Sequence, residues 1–263
     1  MRDDGVERAA RILAEAWLEA RPAESFPQEL RVGDRLQAYQ VQDAMARIIG
    51  EPVTGWKLGA TSPAMGRRAG HDGPIIGRVF ESVTFSSPAR LPAARFPDAR
   101  VECEFAFRLA EAVESRPRPW TAEELAPRAM LHLALEIIGN RYPRTPEFAR
   151  LGTAEEIADN GTGIGFVFGP EVPGWRDLDL RNLEIDIRVD GGAPAENFLG
   201  EDRCEPVGAL VQAVEILSAR GIAIEAGQYV STGAATDPRP IGPGSKVAAR
   251  FGGLGAIEAC FVE

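Results

Sequence analysis

The amino-acid sequence predicts an α+β protein in which a helical N-terminal region precedes a mixed, mostly β body. Two observations lead to this prediction. Residues 1–52 carry apolar side chains at helical spacing, whereas the rest of the chain consists of short β-type runs separated by glycine and proline. The change of pattern places the boundary after residue 52. We therefore predict a helical region over residues 1–52 and a β-rich domain over residues 53–263.

The helical region should contain two helices. From residue 6 to residue 20, apolar residues recur every three or four positions, with charged residues between them. A second such pattern covers residues 34–50, where Gly50 and Pro52 are stop signals. Both helices should bury one apolar face against the rest of the protein.

Two further helices are predicted within the β-rich domain. Thr121 and Glu124 have the spacing of a capping box and predict a helix over residues 121–132, which would include His132. A second helix is predicted over residues 205–220, where Gly221 would end it. The strands are predicted in the runs GWKLGAT, IIGRVF, VTFSS, ARVECEFAFRLA, ALEIIG, GIGFVFG, LEIDIRVDG, QYVSTGAA, SKVAARFG and AIEACFVE.

Composition and charge exclude several classes of function. The formal net charge is −10, which disfavours nucleic acid as a partner. No apolar run is long enough for a membrane span, so no membrane partner is expected. The N-terminal segment is charged and lacks the apolar stretch of a secretory signal. A cytoplasmic location is therefore the expectation.

Three glutamates form the candidate metal site. Glu102 and Glu104 lie two residues apart in an alternating strand pattern and should project from the same face. Glu136 lies within an apolar run, where an unpaired charge would be costly to bury. The alternatives are a solvated strand edge for the first two residues and a buried salt bridge between Glu136 and Arg141. With only two histidines in the chain, an oxygen-ligand site for magnesium, manganese or calcium is favoured over a zinc site.

Two other segments could contribute to the same site. Lys57 lies between Trp56 and Leu58 in a strand bracketed by glycines, and would act on a substrate if it points inward or be a surface lysine if it points outward. The segment 158–163 contains glycines that permit close backbone approach to a ligand, although it could equally form an ordinary Asx turn.

Taken in order, these segments resemble the 2-keto-4-pentenoate hydratase and 4-oxalocrotonate decarboxylase family, within the fumarylacetoacetate hydrolase superfamily. The likeness extends over nearly the whole chain from about residue 35. The matching segments are GWKLGAT at 55–61, RVECEFAF at 100–107, ALEIIGNRY at 134–142, ADNGTGIGFVFG at 158–169, STGAAT at 231–236 and GPGSKVAARFGGLGAIEACF at 242–261.

The resemblance implies a fold, a cofactor and an activity. The fold would be a mixed β roll of the superfamily's C-terminal type with a helical N-terminal part, and the protein would be a homo-oligomer. Mg²⁺ or Mn²⁺ would be held by Glu102, Glu104 and Glu136. The β-rich domain would be catalytic, and the protein would be a lyase of aromatic catabolism that hydrates a 2-hydroxy-2,4-dienoate derived from a small 2-oxo acid.

The resemblance also implies roles for individual residues. Lys57 and Asp159 are the candidate catalytic residues, and Asn160, Thr162 and Thr232 are the candidate substrate-binding residues. These positions fall in the matching segments GWKLGAT, ADNGTG and STGAAT. Their roles are expectations carried over from the family rather than consequences of the spacing.

Three places depart from the family pattern: Ile75, Glu205 where a His usually precedes the proline, and Gly139-Asn140. Many family hydratases carry an acidic residue in the loop that reads GPIIG here, and this chain has Ile75 at that place. The absence of this acid leans toward the closest alternative, decarboxylation of a 4-oxalocrotonate-like 2-oxo-enedioate, or toward an altered substrate. A further alternative is a catalytically silent family member that acts as a binding subunit.

Overall fold

Two mixed β-sheets and six α-helices make up the computed structural model, which describes residues 3–263. The helices are Asp3–Leu18 (α1), Arg35–Ile49 (α2), Pro63–Ala69 (α3), Ala122–Leu125 (α4), Thr153–Ala158 (α5) and Pro206–Ala219 (α6). The strands are Val53–Gly59 (β1), Ile75–Phe80 (β2), Thr84–Ser86 (β3), Ala89–Pro92 (β4), Arg100–Leu109 (β5), Ala129–Ile138 (β6), Gly163–Glu171 (β7), Ile185–Val189 (β8), Tyr229–Ala234 (β9), Arg239–Pro240 (β10), Lys246–Phe251 (β11) and Ala256–Val262 (β12).

Local capping residues fix the bounds of the longer helices. Helix α2 begins after Asp34, whose side chain accepts a hydrogen bond from the Gln37 backbone, and ends at Gly50 in the left-handed conformation. Helix α6 begins at Pro206, and the side chain of Glu205 accepts hydrogen bonds from two backbone N–H groups of its first turn. The predicted helices over residues 34–50 and 205–220 are thus confirmed within one or two residues.

The predicted helix over residues 121–132 is wrong beyond its first turn. The capping box of Thr121 and Glu124 is present, but α4 ends at Leu125 and a short 3₁₀ turn leads into β6. His132 therefore lies on a strand. Strand β6 pairs with β5 along its whole length and with β7 on its other side, and this tertiary pairing outweighs the local helical signal.

The large sheet has the strand order β2-β1-β9-β5-β6-β7-β3, with β10 also paired to β5. The small sheet has the order β4-β12-β11-β8. Both sheets are mixed, because β1–β9, β3–β7 and β4–β12 are parallel pairs among antiparallel ones. This architecture confirms the predicted α+β class with a mixed, mostly β body.

A continuous apolar core joins the N-terminal helices to the sheets. It includes Leu13 and Trp17 of α1, Met45 of α2, and Phe105 and Phe107 of β5. Within residues 3–263, no helix is long and apolar enough to cross a membrane. The boundary after residue 52 stays a prediction about domain organisation.

Candidate active site

The pairing of strands β5 and β6 brings three glutamates together. Glu102 lies directly opposite Glu136 in this antiparallel pair. Glu104 follows two residues later on β5, so its side chain projects from the same face as that of Glu102. One ligand oxygen from each of the three side chains lies within 4.8 Å of the other two, and all three residues are buried. Of the alternatives left open by the sequence, the solvated edge and the salt bridge of Glu136 with Arg141 are therefore absent.

Burial dominates the electrostatics of this cluster. It is the largest cause that raises the pKa of Glu102 to about 8, and the negative charge of Glu136 raises it further. The pKa of Glu104 lies well above its ordinary value because of burial, followed by the charges of Glu136 and Glu102. Burial also raises the pKa of Glu136. The three carboxylates thus need positive charge nearby if they are to be ionised together.

Lys57 supplies one positive charge. Its side chain points inward from β1, where Nζ lies 3.2 Å from Glu136 Oε1 and donates a hydrogen bond of 2.6 Å to the Gly161 carbonyl oxygen. Burial lowers the pKa of Lys57, but attraction by Glu136, and then by the other two glutamates, outweighs it and leaves the pKa raised. Lys57 is therefore an ammonium group in this environment.

The unpaired oxygens of the cluster fit a hard divalent cation. Within residues 3–263, Glu104 Oε1 and Glu136 Oε1 are buried and accept no hydrogen bond, although Lys57 lies 3.2 Å from the latter. Glu104 Oε2 accepts a hydrogen bond from the Gly233 backbone. Buried carboxylate oxygens without donors are costly unless a cation approaches them. Among residues 3–263, these glutamates are the one group of three His, Cys, Asp or Glu side chains that lie this close together.

Glycines let a backbone segment pass close to the cluster. A Cβ atom on Gly163 would lie 2.7 Å from Glu136 Oε1 and 3.1 Å from Lys57 Cε, which is too close for any other residue. Gly161 has φ of 67°, in the region that favours glycine. The segment that follows α5 therefore requires small residues in order to cover the charged side chains.

A cavity of about 220 Å³ opens onto the cluster, and its lining includes Lys57, Glu102 and Glu136. A larger cleft of about 800 Å³ adjoins it, because Ala69, Ile138, Glu156 and Thr162 line both spaces. The combined space is suited to a small molecule with one end at the glutamates and the other in the cleft.

The remaining predicted site residues occupy different places. Thr162 lines both spaces, and its substrate-binding role stays a prediction. Asn160 instead holds β2, since its side chain accepts a hydrogen bond of 2.7 Å from the Arg78 backbone and donates one of 2.8 Å to the Arg78 carbonyl. Thr232 is buried and donates to the carbonyl oxygen of Phe105. The structure thus gives Asn160 and Thr232 contacts within the protein, and their substrate-binding role stays a prediction.

Asp159 forms an ion pair with Arg141 and does not line the cavity. Arg141 Nε donates to Asp159 Oδ1 at 2.5 Å, and the Arg141 backbone donates to Oδ2 at 2.8 Å. Both residues are buried, with the guanidinium lying over the ring of Trp17. This geometry supports a role for Asp159 in positioning the segment that carries Asn160 and Thr162. Its predicted catalytic role is untested.

We expect Asp159→Asn to lower the free energy of unfolding by about 3 to 5 kcal/mol, because it leaves the Arg141 charge buried without a counterion. Chemical denaturation would measure the loss. Asp98→Asn is the matched control, since Asp98 pairs with Arg144 at an exposed site and should cost less than about 1 kcal/mol. Equal effects of the two substitutions would contradict the assignment.

Several residues that line the cavity were not predicted from the sequence. They include Arg68, His71, Glu156 and Asp237. His71 and Glu156 lie far apart along the chain and meet only through the packing of α5 against β2, so no local pattern marks them. The sequence placed His71 in a glycine-flanked loop without a functional role.

No family model matches the chain. Curated relatives match over most of its length. A 4-oxalocrotonate decarboxylase of Pseudomonas sp. is 30% identical over 211 residues, covering 80% of this chain and 78% of the relative. The chain belongs to the 2-keto-4-pentenoate hydratase and 4-oxalocrotonate decarboxylase family. A 2-keto-4-pentenoate hydratase of Burkholderia vietnamiensis is 26% identical over 264 residues and covers 99% of both chains. The members of this family are lyases, and this chain is one of them.

Solved structures agree with the fold of this family. The 4-oxalocrotonate decarboxylase from Pseudomonas putida G7, complexed with magnesium and adipate, has a TM-score of 0.86 at 20% identity and covers 100% of this chain and 99% of its own. A fumarylpyruvate hydrolase from Pseudomonas aeruginosa, in complex with Mn²⁺ and pyruvate, has a TM-score of 0.55 at 18% identity over 81% of this chain and 91% of its own. The second match shows that a protein with a different name shares much of this fold.

Proposed function

We propose that this lyase uses a divalent cation to hydrate a 2-hydroxy-2,4-dienoate, a reaction in line with the curated relatives named 2-keto-4-pentenoate hydratase. The observation that carries the proposal is the convergence of three buried glutamate side chains beside an ammonium group, at the end of a cavity that a small molecule can enter. Buried acids and a buried lysine in a cleft are typical of an active site.

Glu102, Glu104 and Glu136 are the proposed ligands, and Mg²⁺ or Mn²⁺ is the proposed ion. Both ions prefer carboxylate oxygens, and within residues 3–263 Glu104 Oε1 and Glu136 Oε1 are buried and accept no hydrogen bond. When bound, such an ion supplies Lewis acidity toward the 2-oxo group and the neighbouring carboxylate of a substrate. The solved relatives with magnesium and with Mn²⁺ support the choice.

The chain's own residues would bind and orient the substrate. Lys57 faces the same cavity as the glutamates, so its ammonium can attract the substrate carboxylate and stabilise negative charge that develops on the 2-oxo oxygen. Thr162 lies at the junction of the cavity and the cleft, where its hydroxyl can contact the middle of a bound chain. The glycines on either side of it let the segment after α5 lie close to Lys57 and Glu136.

Decarboxylation of a 4-oxalocrotonate-like 2-oxo-enedioate is the second candidate. The first residue of β2, Ile75, offers no acid to the cavity, and a decarboxylase is among the matched relatives. The two reactions need the same carbonyl activation but differ in proton transfer, because only the hydratase must protonate C5 of the substrate.

A substrate panel tests the proposed function. Purified protein with Mg²⁺ would be incubated with 2-hydroxy-2,4-pentadienoate and with 2-oxo-3-hexenedioate, while ultraviolet absorbance and carbon dioxide are followed together. We expect metal-dependent loss of dienoate absorbance without carbon dioxide from the first compound. Carbon dioxide release from the second compound alone would make the protein a decarboxylase. A silent binding subunit would turn over neither.

The pH dependence of stability gives a separate prediction. The pKa of Glu102 is about 8 in the folded protein against 4.5 for an ordinary glutamate, so the metal-free fold binds an additional proton between these values. The contribution of this proton to the free energy of unfolding should therefore be fully present below about pH 4.5, and it should be lost as the pH rises through 8. Thermal melts of metal-free protein should show this fall, and Glu102→Gln should flatten it. A wild-type profile no steeper than that of the variant would contradict the shift.

Three broader expectations stay proposals. The homo-oligomeric state can be measured by light scattering. The cytoplasmic location can be tested by fractionation of the source cells. The boundary after residue 52 can be tested by limited proteolysis, where a folded fragment beginning near residue 53 would support it.

A further inference from the structure

The active-site cavity contains two carboxyl groups without an assigned role. Its acidic lining residues are Glu102, Glu136, Glu156 and Asp237. The first two are proposed metal ligands. At the place where many family hydratases carry an acid, the first residue of β2 supplies the apolar side chain of Ile75 to this cavity. A group that moves a proton must therefore come from elsewhere.

Glu156 is held in place by two neighbouring side chains. Its Oε2 lies 3.1 Å from His71 Nε2, and His71 Nδ1 lies 3.1 Å from the Thr153 hydroxyl oxygen. The His71 side chain is only 3% exposed, so the ring is fixed by packing as well as by these contacts. Thr153 and Glu156 lie on the same short helix, α5, which packs against β2.

The second oxygen of Glu156 is free to act. Within residues 3–263, Oε1 accepts no hydrogen bond, and the side chain lines both the cavity and the adjoining cleft. Asp237, the other unassigned acid, has no side chain comparable to His71 to orient it, and its charge acts on Glu102 of the cluster. Glu156 is therefore the carboxyl group with a fixed orientation and an oxygen available to a ligand.

We propose that Glu156 is the proton donor to C5 of the dienoate, and that His71 is the positioning residue that orients it. This inference rests on the proposed hydratase function. The substrate 2-hydroxyl loses its proton to solvent, and its electrons move through the conjugated bonds to C5. C5 takes the proton of the Glu156 carboxylic acid, which leaves a 2-oxo-3-enoate and a carboxylate. The carboxylate regains a proton from water before the next turnover.

Deuterium transfer to carbon measures this step directly. Protein loaded with Mn²⁺ would be given 2-hydroxy-2,4-pentadienoate in D₂O, and deuterium at C5 would be followed by NMR. We expect Glu156→Gln to slow enzyme-dependent deuteration at least about 100-fold, the usual contribution of a general acid, while Mn²⁺ binding and the melting temperature are kept. Glu147→Gln, at an exposed glutamate that pairs with Arg31, should leave the rate unchanged.

A double-mutant cycle tests the role of His71. In the wild type, His71→Leu should lower kcat about tenfold with little change in KM. In the Glu156→Gln variant, the same substitution should leave kcat unchanged. If the role of His71 were purely structural, His71→Leu would lower kcat by the same factor in the wild type and in the Glu156→Gln variant.

Three outcomes would overturn the proposal. Full C5 deuteration by Glu156→Gln would remove Glu156 from the step, and loss of deuteration in Asp237→Asn alone would give the role to Asp237. In both cases the wild type still hydrates dienoate, so the proposed function survives. If the wild type transfers no deuterium to C5, both the proton donor and the hydratase function fail together.

Discussion

Glu104→Gln should reduce turnover by roughly a thousandfold, which corresponds to about 4 kcal/mol of lost transition-state stabilisation. Glu104 is completely buried, and its Oε1 accepts no hydrogen bond from the protein. Glutamine has the same shape, and its amide oxygen can still accept the hydrogen bond from the Gly233 backbone. The substitution therefore removes the charge that a cation needs and leaves the fold in place.

The stability of the variant separates loss of a ligand from loss of structure. Burial raises the pKa of Glu104, so the ionised group is a cost to the metal-free protein. Metal-free Glu104→Gln should melt at or above the wild-type temperature at pH 8, and Mg²⁺ should no longer raise that temperature. Glu258→Gln, at an exposed position on β12, should keep both turnover and the metal response. Full activity of Glu104→Gln with Mg²⁺ present would contradict the assignment.

Lys57→Met should also lower turnover at least about 100-fold, but for a different reason. Methionine fills nearly the same volume without the ammonium, which lies 3.2 Å from Glu136 Oε1. The substrate carboxylate and the developing oxyanion would then lose their protein cation. Cation binding at pH 8 should be retained or tightened, because a positive charge has been removed from beside the ligands.

The metal response distinguishes the two substitutions. Calorimetric titration with Mn²⁺ should show binding to Lys57→Met and none to Glu104→Gln. Lys246→Met, at an exposed lysine on β11, is the control and should behave like the wild type. Loss of Mn²⁺ binding in Lys57→Met would mean that Lys57 maintains the shape of the cluster rather than acting on substrate.

The sequence predicted the glutamate cluster because two local signals agreed. The period-two pattern placed Glu102 and Glu104 on one face, and the apolar run around Glu136 made an unpaired charge there improbable. The direct opposition of Glu102 and Glu136 depends on the register between β5 and β6, which follows from pairing across the sheet. The scarcity of histidine in the chain favoured one oxygen-ligand site for the three glutamates, and the resemblance to the family implied the same ligand set.

Other parts of the site depend on contacts that leave no local pattern. Nothing near Asp159 in the sequence indicates that Arg141 would donate hydrogen bonds to both oxygens of its carboxylate. His71 and Glu156 meet through the packing of α5 on β2, and the same kind of long-range pairing turns residues 129–132 into strand despite the capping box before them. Local propensity decides where elements begin, whereas tertiary contacts decide which side chains share a cavity.

The central claim is that Glu102, Glu104 and Glu136 bind one divalent cation. Crystals grown with Mn²⁺ and measured at a wavelength with strong manganese anomalous scattering test it most directly. We predict one anomalous peak at about 2.1 to 2.3 Å from an oxygen of each glutamate, a distance usual for small divalent ions with oxygen ligands. A peak bound elsewhere, or three carboxylates that turn away from one another in crystals saturated with Mn²⁺, would contradict it.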